Sequence, residues 1–363
     1  MKTTLARTVF LGITVTGLVA CGGSGKGGGT GGSNTSTGGS NTSTGGSNAS
    51  TGGSNASTGS SNASGGSVGA SGSFGSGARG GAGGSSGGSV SSTDGGSPCT
   101  VGAWPAADPT VAGPFATVTE NDVGPASGVG ADGGAPVAFT MFRPKDLSQG
   151  GLCHPVITWG NGTGSNPSLY KVLLNHLASH GFVVIASDSP NVSQGTPAPM
   201  VAGVTWVLQQ NDDPTSELYQ KIDTTHIGAT GHSQGAFATT SAGADSHIVT
   251  IAPLCGASAQ RNLHGPAWLF CGGMDTTVPC STVQNASNAI SNVPVMQADY
   301  LSVDHASWIT FRGTKPSPVE AAVTAWMRVQ LMGDTALRTW FYGPSCKLCT
   351  DSGWQVVQKM MDQ

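Results

Sequence analysis

From residue 137 onward, short runs of apolar and β-branched residues alternate with helical patterns, and no other feature constrains the fold so tightly. The runs are Val137–Phe142, Pro155–Trp159, Phe182–Ser187, His226–Thr230, Ile248–Ala252, Ala267–Cys271 and Ala298–Val303. Several are apolar at consecutive positions, as in parallel strands covered on both faces. Between them lie helical segments. Ser168–His180 follows the capping pair Asn166-Pro167, Pro199–Gln210 is amphipathic, and Val319–Met332 begins after Ser317-Pro318 and stops at Gly333. Parallel strands need crossover connections, which helices supply. The pattern predicts an α/β fold with a mainly parallel central sheet and helices on both faces.

The 363-residue chain divides sharply by composition. Residues 22–97 hold 29 Gly and 22 Ser among 76 positions, and only Lys26, Arg79 and Asp94 are charged. With almost no apolar surface to bury, this stretch cannot offset its ordering entropy and is expected to be disordered. Residues 98–363 suffice for one domain with a full core. That domain carries 11 basic and 18 acidic residues, a net charge of −7. A nucleic-acid partner needs a clustered basic surface, so none is expected. No apolar run reaches the length of a spanning helix.

Residues 1–21 read as an address. Lys2 and Arg7 precede a mostly apolar run from Val9 to Ala20, too short to span, which fits an export signal. It ends Leu18-Val19-Ala20-Cys21-Gly22 and resembles the bacterial lipoprotein box, which implies lipidation at Cys21 and an envelope or cell-surface location. An ordinary cleavage site beside a Cys is the alternative. Acyl chains partition into a bilayer at roughly 0.8 kcal/mol per buried CH₂. From Gly31 a seven-residue unit repeats (GGSNTST, GGSNTST, GGSNAST, GGSNAST, GSSNASG). As a flexible tether, residues 22–97 have an end-to-end distance of about 50 Å. The sequons at Asn34, Asn41, Asn48, Asn55 and Asn62 are read as by-products of the repeat.

Gly231-His232-Ser233-Gln234-Gly235 fits G-x-S-x-G. The same pattern occurs at Ser67, Ser85 and Ser86 in the Gly/Ser tract, where it carries no meaning. Context distinguishes Ser233: a strand precedes it and a helical run, Ala236–Ala244, follows. A sharp strand-to-helix turn strains the serine backbone, and flanking glycines keep strand and helix from clashing. A Gly-flanked turn serine without chemistry is the plainer alternative.

A serine hydroxyl needs a base, and the base needs an acid to orient it. On this fold the chain order is Ser, acid, His. Of the downstream histidines, His247 precedes a strand and His264 lies before the next one, at the wrong sheet edge; His305 follows a strand, at the carboxyl edge. Asp275 follows Ala267–Cys271 through Gly272-Gly273-Met274, again at that edge, whereas Asp299 lies within a strand and Asp304 adjoins the His. Ser233, Asp275 and His305 are therefore the expected nucleophile, acid and base. Two backbone N–H groups must face the oxyanion. Gln234 supplies one, and Thr163 of Gly160-Asn161-Gly162-Thr163-Gly164 is expected to supply the other. That loop lacks the Lys-Ser/Thr ending of a phosphate cradle.

With these residues in place, the chain resembles the secreted α/β-hydrolases of the cutinase and poly(ethylene terephthalate) hydrolase type. The likeness runs from about Gly113-Pro114-Phe115 to the C-terminus. It is carried by Leu177-Ala-Ser-His-Gly-Phe-Val-Val-Ile185, by Leu218-Tyr-Gln-Lys-Ile-Asp223 leading to the Gly231–Gly235 turn, and by Thr324-Ala-Trp-Met-Arg328 followed by Gly333-Asp334-Thr335. The resemblance implies an α/β-hydrolase fold without a separate lid domain, no cofactor and no metal. It also implies hydrolysis of small or polymeric carboxylic esters by the triad and oxyanion donors just named. The chain departs from the pattern at Thr163, where an aromatic side chain is usual, and in Pro253–Ser258, which holds no aromatic. Gln234 stands where Met is common and Ala236 where a further Gly is.

Apart from Cys21 there are seven cysteines: Cys99, Cys153, Cys255, Cys271, Cys280, Cys346 and Cys349. An exported chain can form disulfides. A bridge among Cys255, Cys271 and Cys280 would brace the Asp275 loop, and Cys346-x-x-Cys349 is read as structural. The sequence leaves the pairing open. Zinc is not expected without four clustered ligands. A monomer is expected, reaching the membrane only through its N-terminal lipid. Two other classes stay in view: a non-catalytic surface lipoprotein that binds a ligand or polymer, and an amide or peptide hydrolase using the same triad.

Overall fold

The computed structural model describes residues 99–124, 138–309 and 316–361. The export signal expected at 1–21 with Cys21, the tether expected at 22–97, and Val137 lie outside the described residues.

The strands are β1 (Thr117–Val123), β2 (Phe139–Pro144), β3 (His154–Gly160), β4 (Val183–Ser187), β5 (Ile222–His232), β6 (Ile248–Leu254), β7 (Ala267–Gly272), β8 (Val295–Tyr300) and β9 (Trp354–Lys359). The helices are α1 (Lys171–Ser179), α2 (Ala198–Asp212), α3 (Gln234–Ala242), α4 (Cys280–Ala289), α5 (Pro318–Met332) and the single turn α6 (Lys347–Thr350). The strands form one sheet in the spatial order β1-β2-β4-β3-β5-β6-β7-β8-β9. The six strands from β4 to β8 in that order run parallel, while the edge pairings β1–β2, β2–β4 and β8–β9 are antiparallel, so only β2 and β9 run against the rest. This is the α/β-hydrolase fold.

Side-chain alternation divides the core in two. Ile157, Val184, Trp268 and Phe270 face α1 and α5, whereas Val156, Val183, Ile185 and Leu269 face α2, α3 and α4. Every residue of β3, β4 and β7 is buried. Burial on both faces is why these strands read as continuous apolar runs. The start of α5 is fixed by a capping box, with Ser317 Oγ accepting from the Glu320 amide and the Glu320 carboxylate accepting from the Ser317 amide. Its end is fixed by Gly333 at φ 65°. Arg328 on α5 is 1 % exposed, pairs with Asp334 at 2.8 Å and donates to Pro105 O at 2.8 Å, tying the segment before β1 to the core.

Several expectations need correction. The helix expected over Ser168–His180 is a 3₁₀ turn, Pro167–Tyr170, followed by α1; the turn swings Tyr170 inward. The strand expected at Ala298–Val303 lies three residues earlier, because pairing with β7 ends at Gly272–Tyr300 and the chain then turns. β1, β9 and α4 were not anticipated. The two strands are sheet edges with exposed polar positions, and α4 carries few apolar residues. Disulfides join Cys99 to Cys153, Cys271 to Cys280 and Cys346 to Cys349, leaving Cys255 free and buried.

Candidate active site

Ser233 occupies the turn between β5 and α3 with φ 56° and ψ −121°, a conformation that costs a non-glycine residue about 1–3 kcal/mol. Close backbone contacts hold it there. A Cβ on Gly235 would lie 2.1 Å from Gly160 O, and one on Gly231 would lie 2.6 Å from Gly235 O. Both positions therefore exclude any side chain. The Ser233 amide donates to Leu254 O at 3.0 Å, locking the turn to the end of β6.

Three side chains distant in sequence meet at this turn. His305 Nε2 lies 2.9 Å from Ser233 Oγ, and His305 Nδ1 lies 2.7 Å from Asp275 Oδ2. The other Asp275 oxygen accepts from the amides of Thr277 and Val278 at 2.9 and 2.8 Å. The Asp275 side chain is fully buried and that of His305 is 16 % exposed. With Nδ1–H donating to the carboxylate, Nε2 is placed to accept from the serine hydroxyl; the tautomer is assigned from these partners. The Cys271–Cys280 bridge brackets the Asp275 loop. The other candidates lie elsewhere: His247 pairs with Asp245, His264 bonds Ala244 O, Asp299 bonds Gln297, and Asp304 Oδ1 accepts the amides of Ala306 and Ser307.

The loop after β3 presses against the same point. A Cβ on Gly162 would stand 3.4 Å from Ser233 Cβ. Asn161 anchors this loop, accepting from Trp159 Nε1 and donating to Ser187 O, both at 2.9 Å. The Gly162 amide donates to Tyr170 Oη at 3.0 Å, whereas Thr163 is exposed. Gln234 is the first residue of α3, so its amide is one of the orphan donors at a helix start.

Sequence reasoning missed three neighbours. His232, the second residue of the motif, is buried, with Nδ1 3.0 Å from Tyr170 Oη and Nε2 2.9 Å from the His305 carbonyl. Burial, then the adjacent His305 ring, holds its imidazole down to about 4. Tyr170 gave no signal, because the 3₁₀ turn that swings it inward was hidden in a longer helical pattern. Cys255 sits behind the site at φ 55°, where burial and the Asp275 carboxylate push its thiol up. The donor atoms of His232, Cys255 and His305 lie within 4.8 Å of one another, but both His232 nitrogens are engaged and the thiol is held protonated. That set does not suit a metal ion, which needs free lone pairs and a thiolate.

Leu169, which follows the β3 loop, and Met274, which lies in the Asp275 loop, are both exposed. A groove of about 540 Å³ lies between α1 and the β1–β2 edge, and none of Ser233, Asp275 and His305 lines it. Among the described residues no helix is long and apolar enough to cross a membrane. A family model described as PET hydrolase-like matches residues 96–355. Among curated proteins none matches the chain.

Proposed function

The chain belongs to the PET hydrolase-like family, which makes it an ester hydrolase, and from that premise we propose that it is a serine esterase working through an acyl-enzyme. One observation carries the reading: the hydrogen-bonded line from Ser233 Oγ through His305 to the buried Asp275 carboxylate. Ser233 Oγ attacks the ester carbonyl while His305 Nε2 takes its proton. Asp275, held by two amides, accepts from Nδ1–H and stabilises the imidazolium. Negative charge develops on the carbonyl oxygen and is met by two backbone amides. The β3 loop contributes the Thr163 amide, next to the Gly162 amide that Tyr170 engages, and α3 contributes that of Gln234. Collapse expels the alcohol, which leaves with the proton from His305. Water then attacks the acyl-enzyme with His305 again as base, releasing the acid and restoring Ser233.

Small esters are the expected substrates in preference to aromatic polyesters, since Thr163 and residues 253–258 provide no ring to clamp an aromatic acyl group. Ser233→Ala is expected to lower turnover of a short p-nitrophenyl ester about 10⁵–10⁶-fold without unfolding the protein, and to abolish labelling by a fluorophosphonate. Residual turnover within tenfold of the parent, or labelling of the variant, overturns the assignment.

The Leu18–Cys21 box and the Gly/Ser tract support a second element of the reading: export, with the domain tethered to the cell envelope by lipid on Cys21. Labelled fatty acid is expected to enter the full chain in a bacterial host and to be lost in Cys21→Ser. Equal incorporation in the variant refutes lipidation at that residue.

A further inference from the structure

A directional hydrogen-bond chain runs behind the nucleophile. The Gly162 amide donates to Tyr170 Oη at 3.0 Å, Tyr170 Oη lies 3.0 Å from His232 Nδ1, and His232 Nε2 lies 2.9 Å from the His305 carbonyl. Donor counting fixes its direction. A carbonyl only accepts, so Nε2 carries the proton, and a neutral ring then has an accepting Nδ1. Tyr170 must spend its single O–H on that nitrogen, keeping a lone pair for the Gly162 amide. The His232 ring stays neutral because burial disfavours its charged form. Tyr170 and His232 are nearly inaccessible and their rings pack 5.7 Å apart, with His305 and Trp308 on the far side of His232 at 4.7 and 5.4 Å.

We propose that Tyr170 and His232 are positioning residues that lock the loop carrying the Thr163 amide to the loop carrying His305, so that the oxyanion donor and the base keep one fixed spacing across Ser233. The assignment rests on the serine-esterase reading and deepens it. Neither side chain touches substrate. One end of the chain fixes the amide immediately before Thr163, and the other fixes the backbone of the base itself. The two links through Tyr170 are buried and the one to the His305 carbonyl is half-buried, so breaking one leaves an unpaired polar group at the next and the loops lose their common reference. Displacements of about 1 Å in such a constellation can cost about a hundredfold in rate.

The test measures p-nitrophenyl acetate hydrolysis by the full chain and by Tyr170→Phe, His232→Leu, His232→Gln and the double variant Tyr170→Phe/His232→Leu. Tyr170→Phe and His232→Leu are each expected to lower kcat about tenfold to a hundredfold with KM changed less than about twofold. The double variant is expected within about threefold of the worse single, because one connection is cut only once. Gln carries both an acceptor and a donor, so His232→Gln is expected to recover about tenfold over His232→Leu. Losses that multiply in the double variant, a change confined to KM, or a Tyr170→Phe rate within twofold of the parent overturn the proposal. Failure of the esterase reading is separately visible as hydrolysis that survives Ser233→Ala. In that event amide hydrogen exchange decides, since Gly162 is expected to exchange about tenfold faster in Tyr170→Phe and in His232→Leu alike. Unchanged Gly162 protection in His232→Leu refutes the lock without reference to activity.

Discussion

The turn that presents Ser233 is held by backbone against backbone, whereas the loops that bring Asp275 and His305 to it are held by hydrogen bonds, burial and a covalent bridge. At the turn, Gly231 and Gly235 lie so close to Gly160 and to each other that the chain has no room to relax. At the Asp275 loop, the amides of Gly273 and Met274 donate to Tyr300 O and Val303 O, zipping it to the segment that leads to His305, and Cys271–Cys280 brackets it. Steric exclusion acts over a few tenths of an ångström and does not depend on pH or redox state. Hydrogen bonds and bridges act through chemistry that solvent conditions can change. Ser233 is therefore placed by steric exclusion between backbones, and Asp275 and His305 by chemistry that solvent conditions can change.

That contrast can be broken from either side. The largest effect is expected at the turn. Gly235→Ala puts a methyl 2.1 Å from Gly160 O, a contact with backbone that no rotamer relieves. A loss of about 4 kcal/mol or more in unfolding free energy is expected by urea titration, with activity falling alongside it. A variant of parent stability would mean that the turn is looser than its contacts imply.

A smaller effect is expected on acidification. Burial holds His232 down to about 4 and His180, buried beneath the segment before β1, down to about 3. In the unfolded chain both return to about 6.5, so the unfolded state binds protons first as pH falls. The stability they contribute is complete above about pH 6.5 and is lost progressively below it towards their folded values. Between pH 7 and pH 5 the two together are expected to cost roughly 2–4 kcal/mol, read as a falling urea midpoint. A midpoint constant over that range, or a weaker fall in the parent than in His180→Leu, contradicts the assignment.

The smallest effect sharpens the comparison at the other loop. Replacing Cys271 and Cys280 together by Ala opens a loop of sequence separation 9, for which chain entropy predicts a loss of about 2–3 kcal/mol. The Ser233 turn is expected to stay intact, so kcat is expected to fall while fluorophosphonate still labels Ser233, more slowly. Loss of all labelling in a folded double variant would show that the two regions are not independently held.

Legibility in the sequence followed the same division. Strands buried on both faces announced themselves as apolar runs, and Ser233 could be read because its turn demands Gly at both flanks. Asp275 and His305 could be placed at the carboxyl edge because each follows a strand in the required chain order. Edge strands β1 and β9 escaped notice, since one exposed face dilutes the apolar signal with Glu, Asn, Gln and Lys. Tyr170 and His232 were invisible as partners because their meeting depends on a 3₁₀ turn that periodicity cannot separate from the helix after it. The Cys99–Cys153 bridge, 54 residues apart, left no local trace either.

Local chemistry written along the chain determined the alternation of elements, the layers they form and the glycine-flanked serine between β5 and α3. These depend on neighbours a few residues away, where hydrophobic period and backbone sterics are read directly. The 2.9 Å approach of His305 to Ser233, the partner of each cysteine and the line from Gly162 to His305 were decided only by packing. A hydrogen bond requires atoms to agree within a few tenths of an ångström, and that agreement is a property of the whole sheet and its loops, not of any segment.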